Sequence, residues 1–313
     1  MNKKIYCPIP WMEVHINADG SYHSCGAQPN KVSGTEFGEK HNVKSMSIKQ
    51  WMMSDYQYNA RKEKLNGFSN PLCNMCYKED MLGKSSKRKR ELDKYHTIPN
   101  EFMIAEITQL PTSYHLSLGN ECNLSCRMCM PVWSSRIAAE QRLLGQWNGP
   151  IKQNWTEDED AWRMVVETMI STRNLEFVHI VGGEPLLNPR FEELIDLLID
   201  ANKTNIYIGF TTNGTILDET LMKKLMKFRH VDIGVSIEST GIINDFIRTG
   251  SNTKQILKNL DSYLTFRRPS HVYITVRIVP SALSVVGLYE LFEWCVDKKV
   301  DVMSNTLVRP EYM

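Results

Sequence analysis

Three cysteines crowd one short stretch. Cys122, Cys126 and Cys129 fall in the spacing C-x3-C-x2-C within GNECNLSCRMCMPVW, residues 119–133. A loop of that length can turn all three thiols toward one point. Soft thiolates at this density suit an iron–sulfur cluster or zinc. A closed cluster takes four protein ligands, so three leave one metal position open, and an open position is where metal chemistry happens. A zinc site completed by a remote fourth ligand is the competing reading of the same spacing.

Four more cysteines lie upstream. Cys7 opens CPIPWMEVHINADGSYHSCG, in which residues 11–16 have strand composition and Asp19-Gly20 signals a hairpin turn. Residues 21–25 are then the expected returning strand, and such a hairpin can bring Cys25 to the same end as Cys7. Cys73 and Cys76 make a C-x2-C pair. These four are enough for one closed site, of iron–sulfur or of zinc. Between them, Ser47 precedes Ile48, Trp51 and Met52 at helical spacing, the pattern of a capped helix. A basic run follows at residues 82–95, LGKSSKRKRELDKY. Nothing aromatic interleaves with its charges, so it reads as a solvated helix face or linker rather than a nucleic-acid contact.

A chain of 313 residues predicts two domains. The break is expected at residues 96–99, giving domains at 1–100 and 101–313. The hydrophobic content of 42% and charged content of 23% are those of an ordinary globular chain. A net charge of +1 argues against a nucleic-acid or membrane-surface protein. No apolar run approaches the ~18 residues of a membrane span. The opening MNKKIYCPIPWMEV lacks a signal-peptide core with a small-residue cleavage site. The expected compartment is the cytoplasm, where the eight cysteines stay reduced and clustered ones serve as metal ligands.

The second domain alternates strand-like and helix-like segments, the pattern of a parallel α/β fold. Strands are expected at 114–118, 177–181, 205–210, 231–235, 272–278 and 300–306. Helices are expected at 134–144, 157–170, 191–200, 218–228, 254–266 and 288–296, with 145–160 an insertion or lid. The candidate chemical groups fall just after strands. The cysteine loop follows the first, Gly182-Gly183-Glu184-Pro185 the second, Thr212-Asn213-Gly214 the third, and Ser236-Ile237-Glu238 the fourth. Ligands bind at that edge of parallel sheets and barrels. Arg277 lies within the fifth strand, where an inward guanidinium demands a charged partner. His115 and His179 read as satisfied strand residues, and Cys295 as a buried apolar one.

CNLSCRMC together with the downstream GGEP resembles the radical S-adenosylmethionine (SAM) superfamily. The resemblance implies a partial (β/α)6 barrel whose Cys122, Cys126 and Cys129 hold a 4Fe-4S cluster, with SAM on the open iron. It assigns Met128, Gly182, Gly183, Glu184, Ser236 and Arg248 to SAM. Met128 stands where the family usually has an aromatic against the adenine, and a thioether can also lie against a ring. Glu184 would accept hydrogen bonds from the SAM ammonium. Arg248, in NDFIRTGSN, would meet the SAM carboxylate, with a surface salt bridge the alternative. Glu238-Ser239 replaces the family's usual acidic-glycine step.

The N-terminal pattern CPIPW, DG, CG and C-x2-CY resembles the SPASM/twitch module, here ahead of the barrel instead of after it. That implies a second, auxiliary 4Fe-4S cluster on Cys7, Cys25, Cys73 and Cys76. The implied activity is reductive SAM cleavage and hydrogen abstraction from a peptide or protein side chain, with RNA or a small molecule as alternatives. The implied partner is an electron donor such as flavodoxin or ferredoxin. The rival of a different class is a non-catalytic zinc-dependent module that contacts RNA through the basic run.

Overall fold

A computed structural model describes residues 5–26, 35–95, 97–268 and 270–305. The chain forms two compact units. The first comprises Met1–His115 and Glu157–Leu175, the second Leu116–Thr156 and Glu176–Met313.

The first unit begins with the expected hairpin, β1 (Glu13–Ile16) and β2 (Tyr22–His23), paired antiparallel with His15 opposite His23. Gly20 takes a φ of 87° in the turn, a left-handed conformation that glycine adopts without a Cβ penalty. Asn17 closes the turn by bonding the Ser21 hydroxyl. Ser47 caps the helix Ile48–Met52 in a reciprocal arrangement with Gln50. This helix buries Trp51, which stacks on Tyr22 with ring centroids 5.3 Å apart. The longer helices Asp55–Asn66, Asn74–Met81, Lys87–Asp93 and Glu159–Ser171 also belong to this unit.

The basic run is in the main the expected solvated helix face, with Lys84, Lys89, Arg90 and Lys94 exposed. It contains the helix Lys87–Asp93, and two of its cations turn inward. Lys87 Nζ donates to the buried Glu13 carboxylate at 2.6 Å, and Arg88 pairs with Asp80 and donates to the Tyr6 carbonyl. Lysine and arginine type alone does not reveal that partners wait at Glu13 and Asp80.

The second unit is built on β3 (Ser113–Ser117, entered from the first unit), β5 (Phe177–Val181), β6 (Tyr207–Thr212), β7 (His230–Ser236), β9 (Val272–Ile278) and β10 (Asp301–Ser304). These strands neighbour one another in sequence order. The pairs β5–β6, β6–β7, β7–β9 and β9–β10 are parallel. Helices Pro189–Asp200, Glu219–Leu225, Thr253–Thr265 and Leu288–Lys298 connect them. The fold is therefore α/β with a mostly parallel sheet. Two short strands, β4 (Ser125–Cys126) and β8 (Arg248–Thr249), form a separate antiparallel ladder.

Alternation along the strands separates two faces of the sheet. Ile208, Phe210, Val231, Ile233, Val235, Ile274 and Val276 are buried on the helix side, where Phe210 meets Phe191 edge-on. The opposite face is more polar. There His179 contacts the Thr211 hydroxyl, and Arg277 pairs with Asp232 at 3.0 Å. Glycines make room for both side chains. A Cβ at Gly209 would stand 2.8 Å from the His179 ring, and one at Gly234 would overlap Arg277. Cys295 is buried in the last helix.

Arg61 ties the first unit together from inside. Its Nε donates to the Ala105 carbonyl at 2.6 Å and its Nη1 to the Pro10 carbonyl at 3.3 Å, with the residue 1% exposed. Arg61→Met keeps apolar bulk and leaves both carbonyls without this donor. Each buried group so stranded costs about 1–3 kcal/mol. Urea unfolding is expected to show a lower midpoint for the variant with the slope unchanged.

Candidate functional site

The cysteine loop leaves the end of β3 and is shaped by side chains standing in for absent backbone partners. Asn120 is fully buried. Its Nδ2 donates to the carbonyls of Pro131 and Ile151, and its Oδ1 accepts from Gln153 N–H. Ser134 caps the helix Ser135–Leu143, and its hydroxyl also donates to the Leu124 carbonyl. The middle of the loop pairs with β8, placing Cys126 opposite Arg248. Arg127 extends that staple, donating its N–H to Ile247 O and its Nε to Phe246 O.

The three thiols are close enough to raise one another's proton affinity. Burial pushes Cys129 up to about 12, with Cys126 and Cys122 adding to the shift. Burial pushes Cys122 up to about 11, and Cys126 upward against the opposing pull of Arg248. Two thiols have nitrogen donors from elsewhere in the unit. Arg248 Nη1 lies 3.7 Å from Cys126 Sγ, and Asn213 Nδ2 lies 4.0 Å from Cys122 Sγ. Among the described residues, no three Cys, His, Asp or Glu side chains gather tightly enough to hold a single metal ion. A cubane makes a different demand, since each thiolate binds its own iron at a separate corner. Three electrostatically coupled thiols with cationic and amide donors on two of them fit such an anionic group. Met128 is half-buried beside them.

The Gly-Gly-Glu turn packs on this loop. Gly182 and Gly183 have φ of 90° and 51°, and a Cβ on Gly183 would overlap the Glu121 carbonyl. Glu184 N–H donates to that same carbonyl at 2.8 Å. The glycines thus permit close approach to the cysteine loop itself. The carboxylate of Glu184 is 1% exposed and already engaged. Oε1 accepts from Thr212 Oγ1 at 2.9 Å and Leu186 N–H at 3.2 Å, and Oε2 accepts from Asn213 N–H at 2.7 Å. The carboxylate that the resemblance assigns to the SAM ammonium also locks the loops after β5 and β6 together.

Asn213 carries that lock onward. Its Nδ2 donates to Asn123 Oδ1 at 2.8 Å, and Asn123 Nδ2 donates to Thr215 Oγ1. Ser236 ends β7, half-buried and in register with Arg277. Arg248 is 8% exposed and pairs with the fully buried Glu238, replacing the surface salt bridge considered from sequence. The reason is the β4–β8 ladder, which draws the segment under the cysteine loop. Asn120 and Asn123 were not singled out by sequence, and Glu238 was marked only as a strand-end residue with no partner. Lone asparagines in loops carry no motif, and the Glu238–Arg248 pairing depends on tertiary packing.

In the first unit, Cys7 and Cys76 are buried and Cys25 and Cys73 half-buried. Burial raises the Cys7 thiol well above its ordinary value, and Cys25 and Cys73 contribute to the rise. Cys73 likewise acts on Cys76, after burial. Lys64 Nζ stands 3.2 Å from Cys73 Sγ and 3.0 Å from Tyr77 OH. All eight cysteines are free thiols. A surface depression on the helix Glu159–Ser171, lined by Asp160, Arg163 and Glu167 among others, holds none of the expected site residues.

Comparison with known proteins gives these placements a context. Residues 116–279 match the family described as the Radical SAM superfamily. The chain is 32% identical over 198 residues to GTP 3',8-cyclase of Synechocystis, covering 63% of this chain and 54% of the relative. It is 31% identical over 116 residues to PqqA peptide cyclase of Gluconobacter oxydans, covering 37% of this chain and 27% of the relative. The solved structure of native anSMEcpe with bound AdoMet superposes with a TM-score of 0.52 at 20% identity, over 65% of this chain and 54% of the other. The chain spans about half the length, or less, of these two curated relatives.

Glu184 yields a pH signature. Burial raises its carboxyl from 4.5 to about 6, against the lowering effect of its hydrogen bonds. The raised group binds its proton more tightly folded than unfolded, so its stabilising contribution is complete below pH 4.5. It is lost as pH rises through about 6. Glu184→Gln removes this titration. The stability of the parent minus that of the variant is expected to fall by about 2 kcal/mol between those limits and then level off. Urea unfolding of both proteins at a series of pH values checks it, and a flat difference would contradict the assignment.

Proposed function

The chain belongs to the radical SAM superfamily, and on that premise we propose that it cleaves S-adenosylmethionine and abstracts a hydrogen atom from a peptide or protein side chain. The observation that carries the proposal is the stapled triad of Cys122, Cys126 and Cys129 at the C-terminal edge of a parallel sheet. When bound, a 4Fe-4S cluster supplies the single electron that splits SAM into methionine and a 5'-deoxyadenosyl radical.

The chain's own residues bind, orient and shield. Cys122, Cys126 and Cys129 hold the cluster. Met128, half-buried next to the third cysteine, would lie against the adenine of SAM. Gly182 and Gly183 keep the strand-end backbone bare of side chains, and Ser236 and the Thr212-Asn213 turn supply polar groups at the same edge. Glu184 acts as the brace beneath them, since its oxygens are committed to Thr212, Asn213 and Leu186. The substrate lies on the polar face of the sheet, where Arg277, Asp232 and His179 provide donors and acceptors below the SAM edge.

An auxiliary 4Fe-4S cluster on Cys7, Cys25, Cys73 and Cys76 completes the reading. It is supported by the mutual influence of those thiols and by the Lys64 ammonium beside Cys73. A peptide substrate is supported by the likeness to PqqA peptide cyclase; the likeness to GTP 3',8-cyclase keeps a nucleotide as the second reading. A reducing compartment such as the cytoplasm and a small redox-protein electron donor follow from the chemistry. No helix among the described residues is long and apolar enough to cross a membrane.

Paired variants separate the two cysteine sets. Cys126→Ala is expected to abolish formation of 5'-deoxyadenosine from SAM under dithionite. Cys76→Ala is expected to retain some cleavage while losing hydrogen exchange with a peptide library. Equal 5'-deoxyadenosine yields from both variants and the parent would refute the triad as the catalytic set.

A further inference from the structure

Arg248 touches the cysteine loop where water does not reach. The β4–β8 ladder sets it opposite Cys126, and Nη1 lies 3.7 Å from Cys126 Sγ. Nη2 donates to Glu238 Oε1 at 2.6 Å. Glu238 is itself fixed. Its Oε2 accepts from Val279 N–H at 2.9 Å, and its own N–H donates to Asn244 Oδ1 at 2.8 Å. Asn244 is fully buried and is held in turn by the Thr253 hydroxyl at 2.9 Å. The guanidinium is thus braced from the side away from the cysteine. Its Nε is buried and has no acceptor among the described residues.

Stranding a buried cationic N–H is costly unless something anionic satisfies it. Within the protein, Glu238 takes only one edge of the guanidinium. Although the pair is formally neutral, the cation is the nearer charge at the sulfur, because Arg248 Nη1 contacts Cys126 Sγ while Glu238 binds the guanidinium through Nη2. Cluster reduction potentials respond to net charge and to hydrogen bonds on the sulfurs. A fixed cation in contact with a ligand sulfur stabilises the reduced, more negative state of whatever cluster that sulfur holds.

We propose that Arg248 is a positioning residue for the catalytic cluster, holding the Cys126 thiolate and raising the cluster's reduction potential, with Glu238 as its brace. This rests on the reading that Cys122, Cys126 and Cys129 hold a 4Fe-4S cluster, and it reassigns Arg248 from the SAM carboxylate to the cluster side of the site. The step concerned is the transfer of one electron from an external one-electron donor into the cluster. No bond in the chain forms or breaks in it and Arg248 neither gains nor loses a proton.

The test is a mediated dithionite titration of the anaerobically reconstituted holoenzyme, followed by electron paramagnetic resonance. It is read on the signal that changes when SAM is added, so that the auxiliary site does not interfere. SAM affinity is measured in parallel by equilibrium dialysis. Arg248→Met is expected to move the midpoint to more negative potential, and Arg248→Lys to move it less, with SAM affinity unchanged. Glu238→Gln leaves the guanidinium in place, removes the opposing charge, and is expected to move the midpoint the other way. If Arg248→Met loads no iron, the opposed shifts of Arg248→Lys and Glu238→Gln decide. Unchanged midpoints in the loaded variants, or a loss of SAM affinity without a shift, overturn the proposal. A parent protein with no SAM-responsive signal would instead overturn the assignment of the triad.

Discussion

The buried carboxylate of Glu184 is the constraint on which the site depends. It accepts from Leu186 N–H, Thr212 Oγ1 and Asn213 N–H, and so binds the end of β5 to the end of β6. Desolvation works against the ionised form, and those donors offset part of that cost. With the carboxylate in place, Gly183 can lie against the Glu121 carbonyl and Asn213 can reach Asn123 and Cys122. Neither contact survives a shift of these loops by the width of a side chain. The parallel sheet supplies rigid strand ends, and this one group converts two of them into a fixed seat for the cysteine loop.

The loop is held from its other side by the β4–β8 ladder and the Arg248–Glu238 pair. The three thiols therefore sit between an amide donor and a buried cation. In the metal-free chain burial favours their protonated forms. Metal binding must then release protons, which couples assembly of the site to pH. The first unit repeats the theme on a smaller scale, with the Lys64 ammonium next to Cys73.

Sequence revealed most of the scaffold because the scaffold obeys local rules. The strands at 177–181 and 272–278 coincide with β5 and β9, where apolar β-branched residues alternate along short runs. The third strand begins and ends two residues later than expected, at Tyr207–Thr212, because Thr211 and Thr212 continue the ladder with β7. The cysteine spacing was legible because one short loop carries all three thiols. What stayed hidden depends on tertiary partners. GGEP reads the same whether its carboxylate faces a ligand or a neighbouring loop. Arg248 reads the same on a surface or beneath a cysteine, and only the ladder at Cys126 decides. Lys87 and Arg88 look solvated until Glu13 and Asp80 are folded beside them.

The central claim is that this chain gathers its cysteines to hold iron–sulfur clusters. Iron, labile sulfide and zinc per chain, measured after anaerobic purification and reconstitution, test it most directly. The account predicts about eight irons with matching sulfide, two cubanes bound through cysteine thiolates. About four irons with one zinc would keep the catalytic triad and make the first unit's site structural. Zinc without iron would contradict the account.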